Sequence, residues 1–333
     1  MTRNILIFIF ILFGSLAVIA AMVWHDYRGF AERPITASGE TVIWVRPGAS
    51  LGSVVALLDR LGLATPHWKW RLLGRLEQPV VKAGEYRVPA GETPVELLAR
   101  LHCGDVVQHR FTIVEGWSLA RLRQALARDS RITAVVAGLA PEALMQRLGC
   151  EDCFAEGWFL PETYQFVRGA RDLDLLARAH RAMQRELDDA WTQRAPELPL
   201  ESREELLVLA SLVELETVVA EERARVAGVF VRRLKRGMRL QTDPTVVYGI
   251  TGEFDGRIRR RHLTTDHPWN TYTRGGLPPT PIALPGSASI RAAARPAAGD
   301  ALYFVARGDG THKFSATLAE HNRAVARYIL GRE

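Results

Sequence analysis

Two glutamates stand where an apolar run ends. Leu206 to Val213 reads Leu-Leu-Val-Leu-Ala-Ser-Leu-Val and is followed by Glu214, Leu215, Glu216 and Thr217. A carboxyl group at the end of a buried segment is desolvated, which disfavours its charged form and raises its pKa. Such a group stays partly protonated near neutrality and can act as a general acid. Helix positions two apart are turned roughly 200° from one another, so a single cleft receives only one of the pair. Glu214 continues the apolar segment and is assigned the cleft as the catalytic residue, with Glu216 left in a structural, supporting role. The plain alternative is a buried helix whose end has reached solvent.

The residues that follow carry compatible chemistry. Gln241, Thr242 and Asp243 precede Pro244 as a polar turn, and His267 to Tyr272 and Gly275 to Pro279 are irregular by composition. Carboxylates, amides, hydroxyls and aromatics gathered in loops suit a carbohydrate. Hydrolysis of a glycoside normally uses two carboxylates. Asp243 is the nearby second one, although Thr-Asp-Pro also suits a plain turn. Cleavage in which the sugar's own hydroxyl attacks needs one acid/base residue, as in a lytic transglycosylase. Upstream, Glu156 to Tyr164 is an aromatic loop that could stack on sugar faces or simply pack beneath itself.

These residues need elements to hold them. Ser202 followed by Glu205 reads as a capping box opening the helix that ends at the glutamates. A helix over Ala220–Arg236 stops at Gly237, an amphipathic helix spans Asp172–Trp191, and Leu302–Ala306 reads as a buried strand. Nearer the start, the pattern predicts strands at Thr41–Val45 and Gly84–Val88. Helices are expected from Ser50 to Leu61, from Pro66, and from Thr93 to His102. Strand, two helices, strand in so short a span is a compact binding-module pattern.

The chain has 333 residues, 47% hydrophobic and 24% charged, enough for two or three domains with real cores. Its charge of +6 rests on arginine, with Lys69, Lys82, Lys235 and Lys313 the only lysines. The basic runs at residues 232–236 and 257–261 lack interleaved aromatics, which argues against a nucleic-acid surface. Ile5 to Trp24 carries no charge and is long enough to cross a bilayer as a helix. Its apolar core exceeds a signal peptide's, so an uncleaved anchor is expected, with the rest of the chain outside the cytoplasm. Cys150 and Cys153 could close a small disulfide loop in an oxidising compartment, leaving Cys103 unpaired; a single CxxC is poor evidence for a metal.

Taken in order, Ala210-Ser-Leu-Val-Glu-Leu-Glu-Thr217, Gly237-Met-Arg-Leu-Gln-Thr-Asp-Pro-Thr245, Asn270-Thr-Tyr272, Gly276-Leu-Pro-Pro279, Leu302-Tyr-Phe-Val305 and Glu320-His-Asn322 resemble the YceG-like family of membrane-anchored endolytic murein transglycosylases. Lys82-Ala-Gly-Glu-Tyr86 and Glu156-Gly-Trp-Phe159 match upstream. The resemblance implies an α+β protein: a cytoplasmic stub at 1–4, a transmembrane helix at 5–24, a linker at 25–40, a LysM-like α/β module at 41–105 and a mixed α+β catalytic domain at 106–333. It implies a single-pass protein of the inner membrane with its catalytic domain in the periplasm. The activity implied is cleavage between N-acetylmuramic acid and N-acetylglucosamine within nascent peptidoglycan, leaving 1,6-anhydro ends, with no metal or cofactor. By the same resemblance the family's catalytic glutamate falls on Glu214. Gln241, Asp243, Tyr248, Asn270, Tyr272, His312 and Asn322 are the candidates for holding the glycan. Peptidoglycan strands, the inner membrane and peptidoglycan synthases (penicillin-binding proteins) are the expected partners, and nucleic acid is not. Trp269, Thr280 and the Cys150–Cys153 pair depart from the family pattern.

Two rivals make different predictions. A non-catalytic peptidoglycan-binding scaffold would tolerate loss of the acid. A pyridoxal phosphate lyase would need a Schiff-base lysine, and the catalytic half offers only Lys235 and Lys313.

Overall fold

Helices begin here where a short polar side chain can take up a free amide. Ser50, Thr93, Ser118, Ser202 and Thr317 each accept a hydrogen bond from the backbone N–H three residues on, and each opens a helix. Thr93 and Thr317 complete the reciprocal box with Glu96 and Glu320. Glu205 instead turns its carboxylate to the Glu201 N–H at 2.7 Å, so only half of the box expected at Ser202 forms. The computed structural model describes residues 2–35, 39–64, 67–151, 153–250 and 254–332.

The chain divides into two compact units. The first comprises Met1–His109 with Val167–Gly169. It starts with α1 (Thr2–Ala31), whose stretch Ile5–Ala31 is long and apolar enough to cross a membrane. The helix does not stop at Trp24. Tyr27, Phe30 and Ala31 lie three and four apart, forming a stripe that packs against the module and keeps residues 25–31 helical. Asp26 pairs with Lys69 at 2.7 Å, and the Phe30 ring meets Trp70 edge-on at 5.3 Å. The expected linker is therefore helical in its first part, and residues 36–38 of it lie outside the described residues.

Beyond α1 come β1 (Thr41–Val45), α2 (Leu51–Arg60), α3 (Trp68–Glu77), β2 (Gly84–Val88) and α4 (Pro94–Cys103). The expected start of the second helix at Pro66 lies outside the described residues. Strands β1 and β2 pair antiparallel, with Thr41 opposite Val88 and Val45 opposite Gly84. Ile43, Leu58, Leu73, Tyr86, Leu97 and Leu101 form the core, all but fully excluded from water.

The second unit comprises Arg110–Phe166 with Ala170–Glu333. Two strands, β3 (Gln108–Thr112) and β4 (Thr163–Val167), form a small sheet around α5 (Leu119–Arg128) and α6 (Pro141–Arg147) in the sequence. Then follow α7 (Asp172–Thr192), α8 (Arg203–Glu216), a 3-10 turn (Ala220–Glu222), α9 (Arg223–Lys235), α10 (Asp243–Gly249), α11 (Arg260–Thr264) and α12 (Ser287–Ala294). The chain closes with β5 (Tyr303–Ala306) and β6 (His312–Ser315), an antiparallel pair, and α13 (Leu318–Tyr328). The result is a mixed α+β fold.

Helix α8 is the axis of this unit. Every residue from Leu206 to Val213 is buried, as an apolar surface on all sides requires. Helices α7, α9, α10 and α12 pack around it. Strand β5 departs from the expectation of a buried strand. Leu302 is buried, but Tyr303, Phe304 and Val305 are half-buried because they line a cavity with α13.

Candidate active site

Helix α8 ends at Glu216 because Thr217 takes an extended conformation, φ −146° and ψ 135°. The carboxyl of Glu216 is enclosed even though the residue is half-buried, and burial pushes its pKa up to about 6. The hydroxyl of Thr242 donates to Oε1, and the charges of His312 and Arg233 oppose the rise, while Asp243 adds to it. Thr242 is itself fixed. Its N–H donates to Thr271 Oγ1 at 3.0 Å, and Thr245 Oγ1 donates to the Thr242 carbonyl at 2.7 Å. Thr245 and Thr271 share a further bond at 2.8 Å, and all three threonines are buried. A buried hydroxyl network therefore determines where the acid's donor points.

Around Glu216 opens a cavity of ≈ 540 Å³. Gln241, Asp243, Tyr272, His312 and Asn322 all line it, so five of the seven expected binding residues converge on Glu216. Tyr272 donates its hydroxyl to Asp243 Oδ1 at 2.5 Å, and burial pushes the phenol pKa up. Gln241 holds a left-handed backbone, φ 51°, a conformation unusual outside glycine and enriched where function imposes it. His312 is oriented by a residue that sequence reasoning missed. Glu222, buried at the end of the 3-10 turn, bonds His312 Nδ1 at 2.7 Å and accepts the His312 N–H at 3.0 Å. Arg233 was missed too; its guanidinium donates to the carbonyls of Leu302, Arg239 and Leu240 and lies 5.1 Å from the Tyr303 ring.

Glu214 is elsewhere. Its Oε2 accepts the N–H of Gly286 at 2.9 Å, at the start of α12, and it does not line the cavity. Following an apolar run does not select the cleft side when the run is buried all round, and Glu214 meets a neighbouring helix there. The Glu115 side chain lies directly against Gly286 at that junction, where a Cβ would make it move aside. Asn270 also departs from its expected role. It is fully buried, with Nδ2 donating to the carbonyls of His262, Leu263 and Thr265 and Oδ1 accepting the Tyr272 N–H, so it fixes the loop. Tyr248 lines a different cavity, beside Glu156 and Trp269.

Against this geometry stands a family match. The model of the YceG-like family matches residues 43–327. The chain belongs to the YceG-like family. A protein of Bacillus subtilis (strain 168) named endolytic murein transglycosylase is 32% identical over 265 residues, covering 74% of this chain and 73% of its own. A Streptococcus pneumoniae protein of the same name is 26% identical over 353 residues, covering 94% of this chain but 64% of its own length. A crystal structure from Listeria monocytogenes described as YceG-like superposes with a TM-score of 0.53 at 25% identity, over 86% of this chain and 98% of that one. Within this YceG-like chain, Cys150 and Cys153 are joined in a disulfide and Cys103 is free and exposed.

Proposed function

We propose that this chain is an endolytic peptidoglycan lytic transglycosylase with Glu216 as its single acid/base. The observation that carries the assignment is an enclosed carboxyl, raised to about 6, facing a cavity lined by polar and aromatic side chains. Near neutrality a fraction of Glu216 is protonated. That proton passes to the oxygen of the bond between N-acetylmuramic acid and N-acetylglucosamine as the bond to the anomeric carbon breaks. The N-acetylglucosamine leaves with its hydroxyl restored, and positive charge builds on the muramic acid ring. The 6-hydroxyl of that ring then bonds to the anomeric carbon and returns its proton to Glu216, giving the 1,6-anhydro end without consuming water. Asp243, Tyr272, Gln241, Asn322 and the Glu222-oriented His312 hold the strand.

The same proposal covers the remaining organisation. Residues 5–24 cross the inner membrane once, residues 41–105 act as a LysM-like glycan-binding module, and residues 106–333 form a periplasmic catalytic domain. The helix-helix arrangement between antiparallel β1 and β2 supports the module reading. Peptidoglycan synthases fit as partners of a cutter that limits nascent strand length.

Mass spectrometry of digested glycan strands tests the reaction. Anhydro ends from the wild type and none from Glu216→Gln are expected. A second reading, hydrolysis with Asp243 as the other carboxylate, has support in Asp243 lining the same cavity. Reducing ends in place of anhydro ends would establish hydrolysis, and full function in Glu216→Gln would favour a non-catalytic scaffold.

A further inference from the structure

The second unit holds another cavity of ≈ 540 Å³, as large as the one at Glu216. At its wall lies Glu156, whose Oε1 accepts the N–H of Leu119 at 2.9 Å and whose Oε2 is 3.5 Å from the Tyr248 hydroxyl. Ser118 takes up the Arg121 amide and Glu156 the Leu119 amide, so one Glu156 oxygen serves the start of α5 and the other is left toward Tyr248. Burial pushes Glu156 up to about 7, so its retention opposes stability whenever it is charged. The aromatic walls are of two kinds. Tyr248 and Trp269 meet edge-on at 5.6 Å, with Trp269 Nε1 anchored to Thr280 Oγ1 at 2.9 Å, so their faces are held in place before any ligand arrives. Phe154, by contrast, is 62% exposed, a large apolar ring left in water at the rim.

Connectivity links this cavity to the first. Asp243 opens α10 and lines the Glu216 cavity, whereas Tyr248, on the same helix, lines the Glu156 cavity. Five residues at about 1.5 Å per residue separate them by roughly 8 Å along the axis. Trp269 and Tyr272, three residues apart, divide between the two cavities in the same way. The two cavities thus flank the same short helix.

We infer that the Glu156 cavity is a second sugar subsite, taking an N-acetylated hexosamine ring of the same strand. Phe154 and Trp269 cover the ring's apolar face, and Glu156 and Tyr248 bond its hydroxyl or acetamido groups. The inference rests on the proposed glycan substrate. A strand held on both sides of α10 lies across Glu216 with chain extending past the scission point, which favours internal cleavage over nibbling from an end.

The test uses the full-length protein in detergent. Binding of peptide-free and of peptide-bearing glycan strands is measured on Glu216→Gln protein, with and without Phe154→Ala or Glu156→Gln. Phe154→Ala is expected to weaken binding about tenfold and to raise KM in the Glu216-intact protein by a similar factor, with kcat nearly constant. Phe154→Trp is expected to restore affinity. Circular dichroism and Tm confirm folding, which the exposure of Phe154 favours. Unchanged affinity in both variants overturns the subsite and leaves the reaction intact. Weakening seen only with peptide-bearing strands overturns it in favour of a stem-peptide site. Absence of anhydro ends from the wild type sinks the proposed reaction instead, while the binding comparison still judges the cavity.

Discussion

Glu214 and Glu216 differ by two positions and by everything that surrounds their carboxyls. Glu216→Gln removes the proton to be delivered while keeping an acceptor for Thr242. Anhydro-end formation should fall about 10²–10⁴-fold with Tm nearly unchanged, the range for loss of a general acid. Glu214→Gln keeps an oxygen for the Gly286 N–H and should retain most activity; a loss as deep as that of the Glu216 variant would return the catalytic role to Glu214. A pH profile gives an independent check. Because Glu216 must start protonated and its pKa is raised to about 6, kcat/KM should drop about tenfold per unit as pH climbs well past that value. The pair also marks what the sequence could reveal about the site. Helical geometry separates two glutamates onto opposite sides, but which side holds the cavity depends on Thr242 and His312, distant in sequence. Five of the candidate residues, Gln241, Asp243, Tyr272, His312 and Asn322, share one cavity, and their polar and aromatic types were what singled them out. Glu222 was not, since one acidic residue in a Glu-Glu-Arg run gives no hint that it turns inward.

At the level of elements, local signals carried furthest. Ser50, Thr93 and Ser202 mark helix starts because a cap is decided within three residues, and β1 and β2 lie where β-branched and aromatic residues gather. Contacts between distant segments were illegible. Nothing near Asn270 says that its amide will bind three carbonyls at the end of α11. Asn270→Ala should therefore act through stability, costing about 2–3 kcal/mol by leaving buried carbonyls without a partner, and lowering Tm. Proteins that stay folded should bind strands with little direct loss. Glu214→Ala should cost about 1 kcal/mol through the amide it leaves free at the start of α12, read from denaturant midpoints.

For the whole molecule, buried acids set how stability follows pH. Glu156 binds its proton more tightly folded, at about 7, than at its ordinary 4.5. Its contribution is fully present below 4.5 and is lost as pH rises through about 7, a difference of roughly 3 kcal/mol. Urea titrations should show the wild type losing stability over that window and Glu156→Gln losing less; parallel curves would mean that Glu156 titrates normally. The N-terminal helix has a bearing of another kind. At about 1.5 Å per residue its 30 residues span about 45 Å, against a hydrocarbon core of about 30 Å. With its apolar stretch in a bilayer, the surplus is a stiff post rather than a string, clamped by Tyr27, Phe30 and the Asp26–Lys69 pair. The distance between the apolar stretch and the core of the first unit is then set by helix length rather than by the reach of a flexible tether.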